Sequence, residues 1–367
     1  MTVGQIFVTV GRLGKTLGGI KKPMKRKFIG ERGPKVSSQD RQTSDVLYTI
    51  DEALQIFIRA KTAEGVRPGT IKGYHEIFRY FRQWLDKDIS NINEISADII
   101  RNYINYLRTE RTPYAEDPQR KRNGKRLSVY TINIRIRGLS TLFRFLFNEG
   151  ITPINPMKNI AQVRDDAHEE VPGIPDCQID AILASYDDRQ FAQWRDKTLI
   201  LLLLDTGLRI NEALSLTSDQ VNFKESSITV PSQIAKNRKS RDIPISREVA
   251  KRLRQLLDET QQYFGDDCKI FMNAYGEDFT ADAFRRRLNR LKKKLNITTL
   301  HPHMFRHTFA RNYVLNGGDI FTLQRILDHA DIQTTRKYVQ MDNEHIREQH
   351  NKFSPLRNII KRNGIRL

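Results

Sequence analysis

His303-Met304-Phe305-Arg306-His307-Thr308 puts two imidazoles and a guanidinium into one short run near the C-terminus. At helical spacing His303 and Arg306 are i and i+3, so both project from one face. Downstream lie Leu327-Asp328-His329 and Tyr338. Upstream lies Thr206-Gly207-Leu208-Arg209-Ile210-Asn211-Glu212, where Arg209 and Glu212 repeat the i, i+3 relation. Between these pieces, Ala235-Lys236-Asn237-Arg238-Lys239-Ser240 is a basic turn. Strand candidates Ser227-Ile228-Thr229-Val230 and Arg241-Asp242-Ile243-Pro244-Ile245 flank it. Helix-borne arginine and histidine around one hairpin predict a mainly α fold with a small β-sheet.

The residue types suggest phosphate chemistry. A pair of arginines suits a phosphate that gains charge in a pentacoordinate transition state, because each guanidinium offers parallel donors to its oxygens. An imidazole donates a further hydrogen bond or moves a proton. A lysine on a mobile turn can protonate a leaving alkoxide, and a tyrosine oxygen can hold a phosphodiester as a covalent ester. Glu212 is spaced to hold the guanidinium of Arg209. Singly, each residue also has an ordinary structural reading, and only the combination carries weight. His301, His303 and His307 also admit a metal-ligand reading, since His303 and His307 are i and i+4. The intervening Met304, Phe305 and Arg306 supply no HExxH glutamate, and a cation beside Arg306 is disfavoured. Neither a metal nor another cofactor is expected.

The totals point the same way. The chain has 367 residues, room for two domains plus tails. Its 62 Lys and Arg against 43 Asp and Glu leave a net charge of +19, which favours a polyanionic partner through counterion release. Cys177 and Cys268 are too few and too far apart for a disulfide framework or zinc site, and read as reduced thiols of a cytosolic protein. The longest apolar run, Leu199 to Leu204, falls far short of the roughly 20 residues of a membrane helix and reads as a buried helix segment.

Taken in order, residues 1–44 read as a basic tail or DNA-contacting arm, with the cluster Lys21-Lys22-Pro23-Met24-Lys25-Arg26-Lys27 and a short strand candidate over Gln5–Val10. Residues 45–163 carry helical stripes. Ala53, Leu54, Phe57 and Ile58 form one, and Ile71, Tyr74, Phe78, Phe81 and Leu85 another, with Thr70 as the expected N-cap. Ser96 and Ser128 cap two more. On the opposite faces Lys72, Arg79, Arg82, Arg135 and Arg137 are candidate phosphate contacts. Arg111 to Arg126 reads as an exposed basic loop. Residues 164–175, with Pro172 and Pro175, form the linker. From 176 to 355 a second domain is expected, with helices over 176–185, 194–205, 209–216, 246–263 and 281–295. Lys239, Arg241, Arg286 and Arg290 are its candidate DNA contacts, Arg286 and Arg290 sharing a helix face. A basic tail, 356–367, ends the chain.

At this point the chain resembles a known family. Thr206-Gly207-Leu208-Arg209-Ile210-Asn211-Glu212-Ala213-Leu214, the Lys236 hairpin, His303-x-x-Arg306-His307-Thr308-Phe309-Ala310 and Leu327-x-His329 to Tyr338 are similar, in order and spacing, to the boxes of tyrosine recombinases, the phage-integrase family. The resemblance covers Thr49 to Leu356 and implies a SAM-like helical core-binding domain followed by a catalytic domain. It implies that Arg209 and Arg306 bind the scissile phosphate. His303 and His329 assist proton transfer and stabilise the transition state. Lys236, chosen over Lys239 by alignment, is the general acid for the 5′-oxygen. Tyr338 attacks to form a 3′-phosphotyrosine, and Glu212 orients Arg209. There are two departures. Asp328 stands where the family usually has Gly, bringing a carboxylate beside the phosphate site. The hairpin reads Ala-Lys-Asn-Arg-Lys instead of Gly-Lys-Gly-x-Lys.

The resulting expectation is a site-specific recombinase that holds DNA between two domains and works through a Holliday junction as a homotetramer on synapsed sites. Its C-terminal segment would pack on a neighbouring protomer, and accessory DNA-bending proteins would assist. It would act in the cytoplasm, nucleoid-associated when bound. The basic N-terminus leans toward integration or excision of a mobile element over multimer resolution. The alternatives are a type IB topoisomerase-like enzyme, a catalytically silent DNA-binding regulator and, more distantly, a metal nuclease.

Overall fold

Capping explains where most of the helices begin. The computed structural model describes residues 47–113, 126–165, 173–266, 268–338, 347 and 350–356. The N-terminal arm with its strand candidate, most of the Arg111–Arg126 loop, the central part of the linker and the tail beyond Leu356 lie outside the described residues. The chain divides into two compact units, Met1–Ala167 and His168–Leu367.

In the first unit, α1 (Ile50–Ala63) opens on a capping box: the Glu52 amide donates to Thr49 Oγ1 at 3.2 Å and the Thr49 amide to Glu52 Oε2 at 2.9 Å. α2 (Pro68–Trp84) starts two residues before the expected cap at Thr70. Proline suits the first helical position because its missing N–H has no helical partner there. The Thr70 amide instead donates to Arg67 at 2.9 Å. Ser96 and Ser128 do cap α3 (Ala97–Thr109) and α4 (Val129–Asn148), accepting from Ile99 and Thr131. The anticipated stripes meet in one core. Phe57 is fully buried and touches Tyr74, Phe78 and Phe145 edge-on, with centroids 5.1 to 5.6 Å apart. Gly138 lets α4 approach α2, since a Cβ there would lie 2.6 Å from Ile77.

The second unit is built on α6 (Phe191–Thr206), which follows α5 (Asp176–Ala184). Leu199, Ile200, Leu202 and Leu203 of the apolar run are buried, and Leu201 and Leu204 pack at the margin, so this helix is apolar nearly all round. It begins three residues earlier than the periodicity indicated. Its first turns carry a buried ion pair, Arg195 Nη2 to Asp196 Oδ1 at 2.8 Å. The Arg195 guanidinium lies 3.5 Å from the centroid of Phe279 and donates to the Met272 carbonyl. Arg287, from later in the chain, completes this network on Asp196.

α7 (Ile210–Leu214) leads to an antiparallel sheet of β1 (Val221–Asn222), β2 (Ser227–Val230) and β3 (Arg241–Pro244), in that order. Ile228 pairs with Ile243 and both point into the core, while Val230 pairs with Arg241. The register puts Lys236 in the loop between β2 and β3. α8 (Arg247–Phe264) and α9 (Ala281–Lys294) follow, capped by Ser246 and Thr280. α10 (Pro302–Leu315) packs on α6, and α11 (Ile320–Leu327) and α12 (Ile332–Arg336) close the unit. The architecture is therefore mainly helical with one small sheet. Among the described residues no helix is long and apolar enough to cross a membrane.

Candidate active site

Gly207 turns the chain between α6 and α7. It ends α6 in the left-handed region, φ 62°, and a Cβ there would run into Phe309 and Leu327. Arg209, two residues on, becomes the N-cap of α7. Its amide donates to Glu212 Oε2 at 3.0 Å and its Nη1 to Glu212 Oε1 at 2.9 Å. Glu212 thus holds both the amide and the guanidinium of Arg209. Its second clamp was not anticipated: Arg241 on β3 donates through Nη2 to Glu212 Oε2 at 2.7 Å and through Nε to the Ile326 carbonyl at 3.1 Å. The Glu212 side chain is only 2% exposed, which alone would raise its pKa, but hydrogen bonds from Arg241 and Arg209 hold it below the usual carboxylate range.

Arg306 lies buried on α10. Its Nη1 donates to the Gly207 carbonyl at 2.7 Å and its Nη2 to the Leu327 carbonyl at 2.6 Å. Burial and the neighbouring charge of Arg209 push its pKa down to about 10. Nη2 also lies 3.0 Å from His329 Nε2, while His329 Nδ1 lies 2.9 Å from Thr335 Oγ1. Arginine only donates, so Nε2 is the acceptor and Nδ1–H points to Thr335. Burial, then Arg306 and Arg209, hold this imidazole at about 4.

Tyr338, immediately after α12, is buried against Ala310, Val314, Leu323 and Leu327. Burial raises its phenol pKa, against the opposing pull of Arg306. Its hydroxyl lies 2.6 Å from His307 Nδ1. His303 faces solvent one turn earlier, its ring centroid 6.1 Å from that of His307. Desolvation and then the charges of Arg306, His301, Arg209 and Lys236 lower its pKa. Lys236 is exposed on its loop, near enough for its charge to act on His303. Asn237 ties that loop down, donating to the Asp328 carbonyl at 2.9 Å.

The six residues singled out for chemistry therefore lie in one region of the second unit, with Arg209, Arg306, His329 and Tyr338 closest in and Lys236 at the rim. Sequence reasoning missed Asn237 and the orienting role of Arg241. It treated His307 only as a metal candidate. No local pattern signals these contacts, because each joins segments distant in the chain. The sequence offers Arg241 as a DNA contact, but its side chain is 8% exposed and spent on Glu212 and a carbonyl, so it is not a free phosphate contact. Arg135 also departs from that reading: it is buried on α4 with its guanidinium 4.4 Å from the Tyr80 centroid. Lys72, Arg79 and Arg137 are exposed in the first unit, as are Lys239, Arg286 and Arg290 in the second. Among the described residues no three His, Cys, Asp or Glu side chains gather as a metal cage.

The arrangement gathers two guanidiniums held by carbonyls and carboxylates, a third behind them, and imidazoles whose pKa values burial and then neighbouring cations depress. Residues 174–345 match the phage integrase family and residues 51–163 match the phage integrase SAM-like domain. Tyrosine recombinase XerC of Leptospira interrogans is 27% identical over 312 residues, spanning 84% of this chain and 94% of that protein. Tyrosine recombinase XerD of Listeria monocytogenes is 27% identical over 304 residues, spanning 79% of this chain and 94% of that protein. In fold, the chain is similar to the Tn1549 transposon integrase in complex with a circular intermediate DNA (TM-score 0.64, 21% identity, 82% of this chain and 99% of that one). It is also similar to a lambda integrase dimer bound to a COC′ core site (TM-score 0.60, 16% identity, 79% and 95%). With helical and catalytic segments both matched, in that order and over most of its length, the chain belongs to the phage integrase family, the tyrosine recombinases.

Proposed function

We propose that this chain is a site-specific DNA recombinase that breaks and rejoins strands through a 3′-phosphotyrosine on Tyr338. The observation that carries the reading is the pairing of Arg209 and Arg306. They come from different segments, each is locked by acceptors of the surrounding backbone or by Glu212, and they are close enough for Arg209 to depress the Arg306 pKa. Two fixed like charges side by side are stabilised when an anion lies between them. A phosphodiester gaining charge in its transition state meets that need best.

On a bound phosphodiester, Arg209 and Arg306 hold the non-bridging oxygens with the N–H groups their protein acceptors leave over. Tyr338 Oη attacks phosphorus and forms an O–P bond while the P–O5′ bond breaks. Lys236, from its exposed loop, gives the departing 5′-oxygen its proton. His303 supplies a further hydrogen bond to a phosphoryl oxygen, while His329, accepting from Arg306 through Nε2, holds that guanidinium in place. A 5′-hydroxyl from the partner duplex then attacks the ester and restores a phosphodiester. The ester conserves the bond energy, so the strand transfer itself needs no ATP.

The protein acts on double-stranded DNA carrying specific sites, assembling as a tetramer on two synapsed sites and passing through a Holliday junction. Residues 45–163 serve as the core-binding domain and 176–355 as the catalytic domain, joined by the 164–175 linker. Exposed Lys72, Arg79 and Arg137, and Lys239, Arg286 and Arg290, meet the backbone. Integration or excision of a mobile element is the favoured biology, in the cytoplasm. The test is incubation with supercoiled plasmids carrying two candidate sites from its genomic neighbourhood. The proposal expects deletion or inversion between the sites and four-way junction intermediates. Site-independent relaxation without exchange would instead indicate a topoisomerase-like enzyme, and tight binding without either product a silent regulator.

A further inference from the structure

A phenol attacks phosphorus well only if its proton leaves as the new bond forms. Burial makes this harder for Tyr338, because the phenolate is disfavoured away from water. A proton acceptor within about 2.6–3.2 Å is therefore required. Two imidazoles of the site are not placed for it. His329 has both ring nitrogens engaged, by Arg306 and Thr335. His303 turns toward solvent, and its ring lies beside that of His307. His307 Nδ1 is 2.6 Å from the phenol oxygen.

We propose that His307 is the general base that takes the Tyr338 proton during strand cleavage, an inference that rests on the phosphotyrosine reading above. The sense of the hydrogen bond is set by the ionisation states. Burial, then His303, His301, Arg306 and Lys337, hold the His307 imidazole at about 4, so it is neutral at physiological pH. Tyr338 is also neutral, so the phenol donates and Nδ1 accepts. Before DNA binds, the imidazole is too weak a base to take the proton. Phosphate binding changes this, because the anion offsets the charge of Arg306 that disfavours an imidazolium. Proton acceptance is thereby coupled to substrate binding. In cleavage, the Oη proton passes to Nδ1 as the O–P bond forms. In rejoining, His307 returns it to the departing phenolate oxygen, and the residue is reset.

The neighbouring element explains why this histidine is available. α10 presents His303 and His307 one turn apart on one face, and the chain after α12 brings Tyr338 beside the second of them. The groups facing the imidazole are His301, His303 and Arg306 from α10 and its cap, and Lys337 and Tyr338 from the following segment. Among the described residues none of these groups is a carboxylate that would compete for the proton.

The experiment uses the full chain and nicked DNA that traps the covalent product, with His307→Gln and His307→Asn, thermal melts and DNA-binding titrations alongside. The expected result is cleavage slower by about 10²-fold or more with binding and melting unchanged. Two substitutions of reacting atoms then separate the proton steps. A 3-fluorotyrosine at 338, a more acidic phenol, should restore much of the His307→Gln rate. A 5′-bridging sulfur, which leaves without protonation, should restore Lys236→Ala but not His307→Gln. In the unaltered protein, trapping should show an acid limb that His307→Gln lacks, a reading independent of the variants' rates. Wild-type rates in His307→Gln, faster cleavage, or rescue by the sulfur leaving group would overturn the assignment. An adduct formed by Tyr338→Phe would instead overturn the phosphotyrosine reading on which it rests.

Discussion

Arg209 donates from both terminal nitrogens to a single residue, Asp328: Nη1 lies 3.3 Å from its Oδ2 and Nη2 3.0 Å from its carbonyl oxygen. Asp328 sits at the end of α11 with φ 52° and ψ 53°, a left-handed conformation in which aspartate is better tolerated than most residues. The backbone is the one a glycine would take, so the departure from the family pattern leaves the turn intact. What it adds is a carboxylate on a guanidinium meant for phosphate. In the DNA-free protein this stabilises Arg209. With DNA bound it competes.

Asp328→Asn keeps the turn and removes the charge, and Asp328→Gly also relieves the left-handed backbone. Both should raise the cleavage rate or DNA affinity, on the order of fivefold for a partly exposed ion pair of about 1 kcal/mol. Asp328→Ala should melt below Asp328→Gly, because a Cβ at positive φ costs roughly 1–2 kcal/mol and alanine lacks the polar side chain that lets aspartate tolerate that conformation. Single-turnover cleavage of nicked DNA and thermal melts check both. Slower cleavage in Asp328→Asn would mean that the carboxylate positions Arg209 in the reaction.

Arg241 stabilises the site without touching DNA. Arg241→Ala leaves Glu212 buried with one partner fewer, which should cost about 3–5 kcal/mol and displace Arg209, with loss of cleavage. The salt dependence of DNA binding should keep its slope. Arg286→Ala, in contrast, should reduce that slope by about one unit with little change in stability. Titrations at several ionic strengths separate the two.

Gly207 serves both arginines: its turn aims Arg209 and its carbonyl holds Arg306 at 2.7 Å. Gly207→Ala should therefore be destabilising, by about 1 kcal/mol or more from the positive φ alone, with the clash against Phe309 and Leu327 added. Cleavage should fall further than stability explains. Comparing rate and melt for this variant against a distant core variant such as Leu139→Ala tests it.

His307 and His329 are both held at about 4, below the ordinary imidazole value near 6.5. The unfolded chain therefore binds more protons than the folded one between pH 6.5 and 4. Their contribution is complete above pH 6.5 and is lost as pH falls toward 4. The DNA-free protein should melt at progressively lower temperature across that window, and His307→Gln should flatten the dependence. Calorimetry at a series of pH values measures it.

The legible part of this protein was local. Amphipathic stripes placed α3, α4, α8 and α9, serine caps marked several starts, and the i, i+3 spacing of Arg209 with Glu212 foretold their ion pair. Pro68 moved the start of α2 because its own chemistry outweighs a threonine cap two residues later. What was not legible is tertiary. The grip of Arg241 on Glu212 depends on β3 lying against α7, and that of Asn237 on the end of α11. Arg135 looked like a polar-face residue, but its stem packs and its head stacks on Tyr80. The hydrogen bond from Tyr338 to His307 needed α10 and the segment after α12 to meet.

The central claim is covalent attachment of DNA to Tyr338. Labelled, nicked fragments from the protein's genomic neighbourhood should be incubated with it in EDTA and resolved on a denaturing gel. The account predicts a slow, protease-sensitive adduct on the 3′ side of the break, absent for Tyr338→Phe. Tight binding with no adduct on any nicked site, or an adduct that survives Tyr338→Phe, would contradict it.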